Sequence, residues 1–193
     1  MREIIEKHID KVKNIIETKE IDNFTFNLTE LPPHNNFELD IRKHGRFEEL
    51  FKKLDQKITY CLYWFECESE TKAENLVAIL NQKRDNLVSD TGKLWRVPPF
   101  NQNLKSKVIY VGVRQGGVRK RDNLSNLSGR MVQHLGYYPK ESTGALHFLQ
   151  WASNQDFDIT LNILEIGEPE EKQYLYIIEK FASIALKPLC GEH

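Results

Sequence analysis

The residues of this 193-residue chain that could do chemistry together are two tyrosines, an Arg–His pair and a glutamate: Tyr63, Tyr110, Arg130, His134 and Glu179. A guanidinium binds a phosphate through two parallel hydrogen bonds, and a neighbouring imidazole can relay a proton. A tyrosine is a poor base unless its proton can pass to a neighbour or a cation lowers its pKa. These residue types therefore suit proton transfer at a phosphate group, provided that the fold brings them together.

Glu179 lies in a predicted C-terminal helix that starts after Pro169 and ends before Pro188. Helical spacing predicts that this helix buries a stripe formed by Tyr174, Ile177, Ile178, Phe181 and Ile184. Glu179 shares a different face with Leu175 and Ala182, so its carboxylate projects from a partly apolar surface. A carboxylate placed there needs a partner, and a divalent cation or a buried arginine would serve. The alternative is a glutamate at the rim of the helix, paired with a lysine.

Arg130 and His134 are one helical turn apart in a helix predicted over residues 123–135 and closed by Gly136. The side of this helix that turns toward the core carries Leu127, Met131 and Leu135. Arg130 and His134 share another face, where they form either a phosphate-binding pair or an ordinary solvated surface. Their spacing alone does not choose between these interpretations.

Tyr63 and Tyr110 lie in predicted strands. Alternation from Ile58 to Phe65 leaves apolar residues on both faces, which predicts a central strand. Two further strands are predicted over residues 108–113 and 159–166. Two strand tyrosines are more often packing residues than catalysts, so their chemistry depends on the other groups being close.

The pattern of elements predicts an α+β fold, with a small, mainly antiparallel central sheet flanked by helices. Helices predicted over residues 2–19 and 45–54 make residues 1–56 a helical N-terminal extension to a domain over 57–193. Residues 67–105, which include a predicted helix over 71–87, are interpreted as an insertion. The N-terminal helix is amphipathic, so it packs on the domain or on a partner, including a second copy of the chain.

Composition is that of a globular protein, with 40% hydrophobic and 28% charged residues. The chain has no apolar run of membrane-spanning length and no signal-peptide pattern, so we expect a cytoplasmic protein that does not bind membranes. Cysteine is rare and lacks metal-ligand spacing, which predicts free thiols and no zinc site at Cys61, Cys67 and Cys190.

Charge gives a mixed indication about nucleic acid. The formal net charge of -1 lacks the basic character that DNA-binding domains usually show. A local basic cluster falls within a stretch of eight residues that is predicted to be a loop, and it consists of Arg114, Arg119, Lys120 and Arg121. This cluster is either a nucleic-acid-binding loop or a solvated surface.

Four segments resemble, in order and spacing, the core of the GIY-YIG nuclease family. Two strand segments, Cys61-Leu62-Tyr63 and Tyr110-Val111-Gly112, stand for the family's two triplets. The segment Asn126–Leu135 resembles the family's Asn-Leu-x-x-Arg-x-x-x-His helix. Glu179 and Pro188 have the separation of the Glu and Pro that close the GIY-YIG nuclease domain of the bacterial repair excinuclease. The resemblance covers roughly residues 57–66 and 106–191.

This chain also departs from the family pattern. Cys61 replaces the first glycine, and Tyr60 offers a rival register for the first tyrosine. Tyr63 is favoured because a small residue should lie two places before the tyrosine, and Ile58 is not small. The Asn that often follows the closing proline in the family is absent, since Leu189, Cys190 and Gly191 follow Pro188 here.

The resemblance implies a stand-alone endonuclease that hydrolyses DNA with one divalent ion, Mg²⁺ or Mn²⁺, in a restriction-like or repair-related role. Glu179 would hold the ion, Arg130 would neutralise developing charge, and Tyr63, helped by His134 or Tyr110, would activate the attacking water. Two alternatives stay open. One is a catalytically decayed scaffold that binds nucleic acid, and the other is a protein-interaction domain assembled through the N-terminal helix.

Overall fold

The computed structural model describes residues 6, 10, 14, 17–33, 38–89, 91–101, 105–115, 117, 126–167 and 174–191. Most of the helix predicted over residues 2–19 lies outside this part of the chain, as do Arg119, Lys120 and Arg121.

A single sheet organises the described residues. Its strands are β1 (Ile21–Asn27), β2 (Tyr60–Cys67), β3 (Val108–Arg114) and β4 (Asp158–Gly167). They lie in the order β1-β4-β2-β3, and every neighbouring pair is antiparallel. The prediction of an α+β fold with an antiparallel central sheet is therefore confirmed.

Helices cover both faces of this sheet. The α-helices of the described residues are α1 (Phe47–Gln56), α2 (Glu70–Lys83), α3 (Asn126–Leu135), α4 (Phe148–Ala152) and α5 (Leu175–Leu186). The main core lies between one face of the sheet and the first four helices. On the other face, α5 packs over β2 and β3 around a smaller apolar cluster.

The alternation of β2 divides its side chains between these two clusters. Cys61, Tyr63 and Phe65 enter the main core, whereas Tyr60, Leu62 and Trp64 face α5. Because β2 pairs with β4 on one side and β3 on the other, it is the central strand that its two apolar faces predicted.

Residues 21–56 are part of the sheet and core, which differs from the purely helical extension expected from the sequence. β1 pairs along its whole length with β4, and the side chain of its residue Phe26 is buried in the core. Leu50, Phe51 and Leu54 place the apolar face of α1 in the main core. β1 is a strand because it pairs with a segment about 130 to 140 residues further along the chain, and no local pattern in the sequence reveals such pairing.

The buried face of α5 also differs from the predicted stripe. Ile177, Phe181 and Ile184 are 44%, 43% and 71% exposed, whereas Leu175, Ile178 and Ala182 are buried. Apolar residues occur around most of this helix, so spacing alone could not fix its rotation against the sheet. In the described part of the chain, no helix is both long and apolar enough to cross a membrane.

Candidate active site

The register of β2 and β3 puts the two predicted tyrosines on one face of the sheet. Tyr63 lies opposite Gly112, and Tyr110 lies opposite Phe65. A Cβ atom on Gly112 would come within 2.6 Å of Tyr63 Oη and 2.9 Å of Tyr110 Cε1. Gly112 therefore provides the space in which the two rings stack, with their centroids 6.3 Å apart. Tyr60 lies on the opposite face, so only Tyr63 can meet Tyr110.

Helix α3 brings the Arg–His pair to these tyrosines. Arg130 Nε donates to Tyr63 Oη at 3.2 Å, and Arg130 Nη2 donates to Tyr110 Oη at 3.3 Å. His134 Nε2 is 3.1 Å from Tyr63 Oη, and the His134 side chain is fully buried. The solvated-surface interpretation of this helix face is therefore wrong, and Tyr63, Tyr110, Arg130 and His134 form one hydrogen-bonded cluster.

The guanidinium of Arg130 uses all five of its N–H groups within the protein. Besides the two tyrosines, Nη1 donates to Gln133 Oε1 at 2.9 Å and to the Thr143 carbonyl at 3.1 Å. Nη2 also donates to the Gly144 carbonyl at 3.2 Å. Since a guanidinium has five N–H donors, none is left in this arrangement for a phosphate oxygen.

The hydrogen-bond pattern around His134 assigns its proton. The backbone N–H of Leu146 donates to Nδ1 at 3.1 Å, so the neutral ring carries its proton on Nε2 and donates it to Tyr63 Oη. Burial, together with the charge of Arg130, holds the pKa of His134 well below its usual range. Burial and the neighbouring Tyr110 raise the pKa of Tyr63, against an opposing effect of Arg130. At neutral pH the cluster thus combines an uncharged imidazole and phenol with a positive guanidinium.

Glu179 borders a cavity of about 350 Å³ that also has Tyr110 in its wall. The other lining residues are Arg96, Val97, Pro98, Pro99, Val111, Ser142, Thr143, Gly144 and Gly191. The Glu179 side chain is half-buried, and none of the described residues donates a hydrogen bond to its carboxylate or forms an ion pair with it. Burial raises the pKa of Glu179, with a smaller opposing effect of Lys180. The rim glutamate paired with a lysine is therefore not what the described residues form.

The segment after α5 ties Glu179 to the strand that carries Tyr110. Leu189 N donates to the Val108 carbonyl at 3.0 Å, and Cys190 N donates to the Ile109 carbonyl at 2.8 Å. Asn101, from the segment between β2 and β3, donates its side-chain N–H to the Pro188 carbonyl at 2.9 Å. These bonds hold the C-terminal end of α5 along the outer edge of β3.

Arg114 is the one member of the predicted basic cluster that the structure describes. It is the last residue of β3, whereas the sequence suggested a loop. Its charge opposes the rise in the pKa of Tyr63 and contributes to the low pKa of His134. Its Nε atom is buried and has no hydrogen-bond partner among the described residues.

Sequence patterns missed the loop that closes the cavity beside Arg130. Of residues 144–153, only Phe148–Ala152 form a helix, because Gly144 and His147 have φ angles of 61° and 50°. His147 Nε2 is 3.0 Å from Thr143 Oγ1, and its ring is fully buried. A glycine was the only local sign of this turn, since a histidine rarely adopts the left-handed region.

The three cysteines take no part in the site. All are free and buried, and burial raises the pKa of Cys61, Cys67 and Cys190 to about 12. They are therefore uncharged thiols at neutral pH. Within the described residues, no cluster of three or more His, Cys, Asp or Glu side chains could hold a metal ion, so Glu179 would be a lone protein carboxylate.

Comparison with known proteins gives no match: no protein-family model, no curated protein and no solved structure resembles this chain significantly.

Proposed function

We propose that this chain is a metal-dependent endonuclease of the GIY-YIG type that hydrolyses DNA phosphodiester bonds. The observation that carries the proposal is the meeting of five side chains from four elements. Tyr63, Arg130 and His134 form a cluster with Tyr110, and Tyr110 shares a cavity with Glu179. A carboxylate and a hydroxyl that border one cavity, with a fixed guanidinium charge bonded to that hydroxyl, are groups that phosphodiester hydrolysis uses.

Glu179 is the residue that would hold Mg²⁺ or Mn²⁺. Its carboxylate is half-buried and lacks a partner among the described residues, so a cation would supply the charge that its surroundings do not. Magnesium is commonly bound through one or two carboxylates, with water and substrate phosphates as its other ligands. When bound, the ion would polarise the scissile phosphate and stabilise the leaving oxygen.

Tyr110 is the tyrosine that would meet the attacking water. Its ring borders the cavity, whereas Tyr63 is 1% exposed and lies behind it. Tyr110 Oη would accept a hydrogen bond from the attacking water and so orient it. Arg130 Nη2 donates to this oxygen, so a fixed guanidinium charge lies beside the position where negative charge would develop. This arrangement gives Tyr110 the role that the resemblance implied for Tyr63.

Tyr63 and His134 would act by fixing the position of Arg130. The Tyr63 oxygen accepts one hydrogen bond from Arg130 Nε and one from His134 Nε2, and both residues are buried. Groups held in this way keep their geometry when the substrate enters.

The test is cleavage of supercoiled plasmid and of branched and single-stranded oligonucleotides with Mg²⁺ or Mn²⁺. We expect metal-dependent cutting by the wild type and a loss of about 10²-fold to 10³-fold in Glu179→Gln. Glu74→Gln, on the exposed surface of α2, is the matched control and should cut at the wild-type rate. Thermal unfolding of each variant separates lost chemistry from lost folding.

Two results would count against the nuclease. Full activity in Glu179→Gln would show that another protein or another site does the cutting. Tight DNA binding without cleavage of any substrate would favour the catalytically decayed scaffold.

A further inference from the structure

Arg96 lies in the segment between β2 and β3 that the sequence left unexplained as an insertion. Among the described residues that line the cavity, it is the single cation, and Glu179 is the single anion. The Arg96 side chain is exposed, so a polymer at the surface can reach it.

Four consecutive residues around Arg96, residues 95–98, are held in place by contacts with the rest of the protein. The Trp95 ring packs on the buried His147 ring, with centroids 4.6 Å apart, and Arg96 N donates to the Glu141 carbonyl at 2.8 Å. The guanidinium of Arg84 donates to the Val97 carbonyl at 3.3 Å and to the Pro98 carbonyl at 2.8 Å. Residues 95–99, which we term the arm, are therefore held in place, and residues 96–99 form one wall of the cavity.

The site needs a cation that can bind the phosphate directly, because the N–H donors of Arg130 already bond to other groups of the protein. Arg130 contributes its charge through Tyr110, but its five N–H groups already bond to the protein. An exposed guanidinium can bind a phosphate through two parallel hydrogen bonds. Arg96 is the described lining residue with that chemistry.

We propose that Arg96 is a substrate-binding residue that donates to a non-bridging phosphate oxygen of the nucleic-acid backbone within the cavity. The inference rests on the proposed function and adds to it. It gives the arm a role, since the cavity wall formed by residues 96–99 guides the nucleic-acid backbone between Tyr110 and Glu179.

The test is binding of a fluorescein-labelled DNA duplex at several salt concentrations, in EDTA so that no cleavage occurs. For Arg96→Gln we expect roughly tenfold to a hundredfold weaker binding, as for the loss of a charge-assisted hydrogen bond. The slope of log affinity against log salt should also fall by about 1, the value of one lost phosphate contact. Arg96→Lys keeps the charge but loses the fork, so it should restore the salt slope and only part of the affinity.

Lys93→Gln is the matched control, because Lys93 is exposed two residues before the arm and does not line the cavity. It removes the same charge and should change affinity little. Equal weakening in both variants, or wild-type binding by Arg96→Gln, would overturn the role of Arg96. If the wild type cuts DNA in the plasmid assay, that failure leaves the nuclease intact. If the wild type neither binds nor cuts DNA, both proposals fall together.

Discussion

At the scale of the residue, Arg130 is the centre of the hydrogen-bond network. Its residue type and spacing suggested a side chain that binds phosphate. Its contacts instead make it a positioning residue that joins two strand tyrosines to the loop at Thr143 and Gly144. This role has two parts: the positive charge of the guanidinium and the fixed geometry of its five N–H donors.

Arg130→Lys separates these two parts, because lysine keeps the charge and loses the fork. We expect kcat to fall about 10²-fold, with KM little changed, since Arg130 has no N–H donor left to bind a substrate. The free energy of unfolding should fall by about 1–3 kcal/mol as buried acceptors lose their donors. Steady-state cleavage kinetics and denaturant unfolding measure both effects. A lysine variant with wild-type kcat would show that charge alone suffices.

Removing one hydroxyl at a time distinguishes the two tyrosines. Tyr110→Phe should lower the cleavage rate by about 10²-fold or more with little change in stability, because Tyr110 borders the cavity and water there can replace its hydroxyl as the acceptor for Arg130 Nη2. Tyr63→Phe leaves the donors of Arg130 and His134 without their buried acceptor, so it should also lower the unfolding free energy by about 1–3 kcal/mol. Cleavage rates and urea unfolding of the two variants test this contrast. The reverse order of stability losses would contradict the proposed roles.

At the scale of the element, the contact between β2 and β3 depends on Gly112. Gly112→Ala would place a Cβ 2.6 Å from Tyr63 Oη, and the hydrogen bonds of Tyr63 oppose its displacement. We expect an unfolding free energy lower by about 1–3 kcal/mol, and a cleavage rate reduced about 10²-fold by the shifted rings. Val113→Ala, on the other face of the same strand, is the control and should affect stability more than cleavage. Wild-type cleavage by Gly112→Ala would show that the tyrosines do not need this packing.

At the scale of the whole molecule, buried histidines make stability depend on pH. Burial, with the charge of Arg130, lowers the pKa of His147 from 6.5 to about 4, and that of His134 also lies well below 6.5. The unfolded chain therefore binds more protons than the folded protein below pH 6.5. Their stabilising contribution is complete above that pH and is lost as the pH falls toward the folded-state values.

His147→Asn tests this linkage, since asparagine tolerates the left-handed backbone at this position. Between pH 7.5 and pH 5, the wild type should lose about 2 kcal/mol more unfolding free energy than the variant, from a pKa shift worth about 1.4 kcal/mol per unit. Denaturant unfolding of both proteins at both pH values gives the difference. An equal loss in the two proteins would contradict a neutral, buried His147.

The sequence by itself determined most of the elements that carry the site and which of the site residues share a face. Alternation placed Tyr63 on a central strand with two buried faces, and helical spacing put Arg130 and His134 on one side of α3. These predictions succeeded because a strand has a period of two and a helix a period of 3.6, so local order in the chain fixes which side chains share a face.

Only the tertiary structure decided the rest. It paired β1 with β4, rotated α5 so that Ile177 and Phe181 are exposed, and brought Arg96 to the cavity that holds Glu179. It also directed every donor of Arg130 into the protein. These outcomes depend on contacts between residues far apart in the chain. Such contacts produce no periodic pattern in the sequence of either partner.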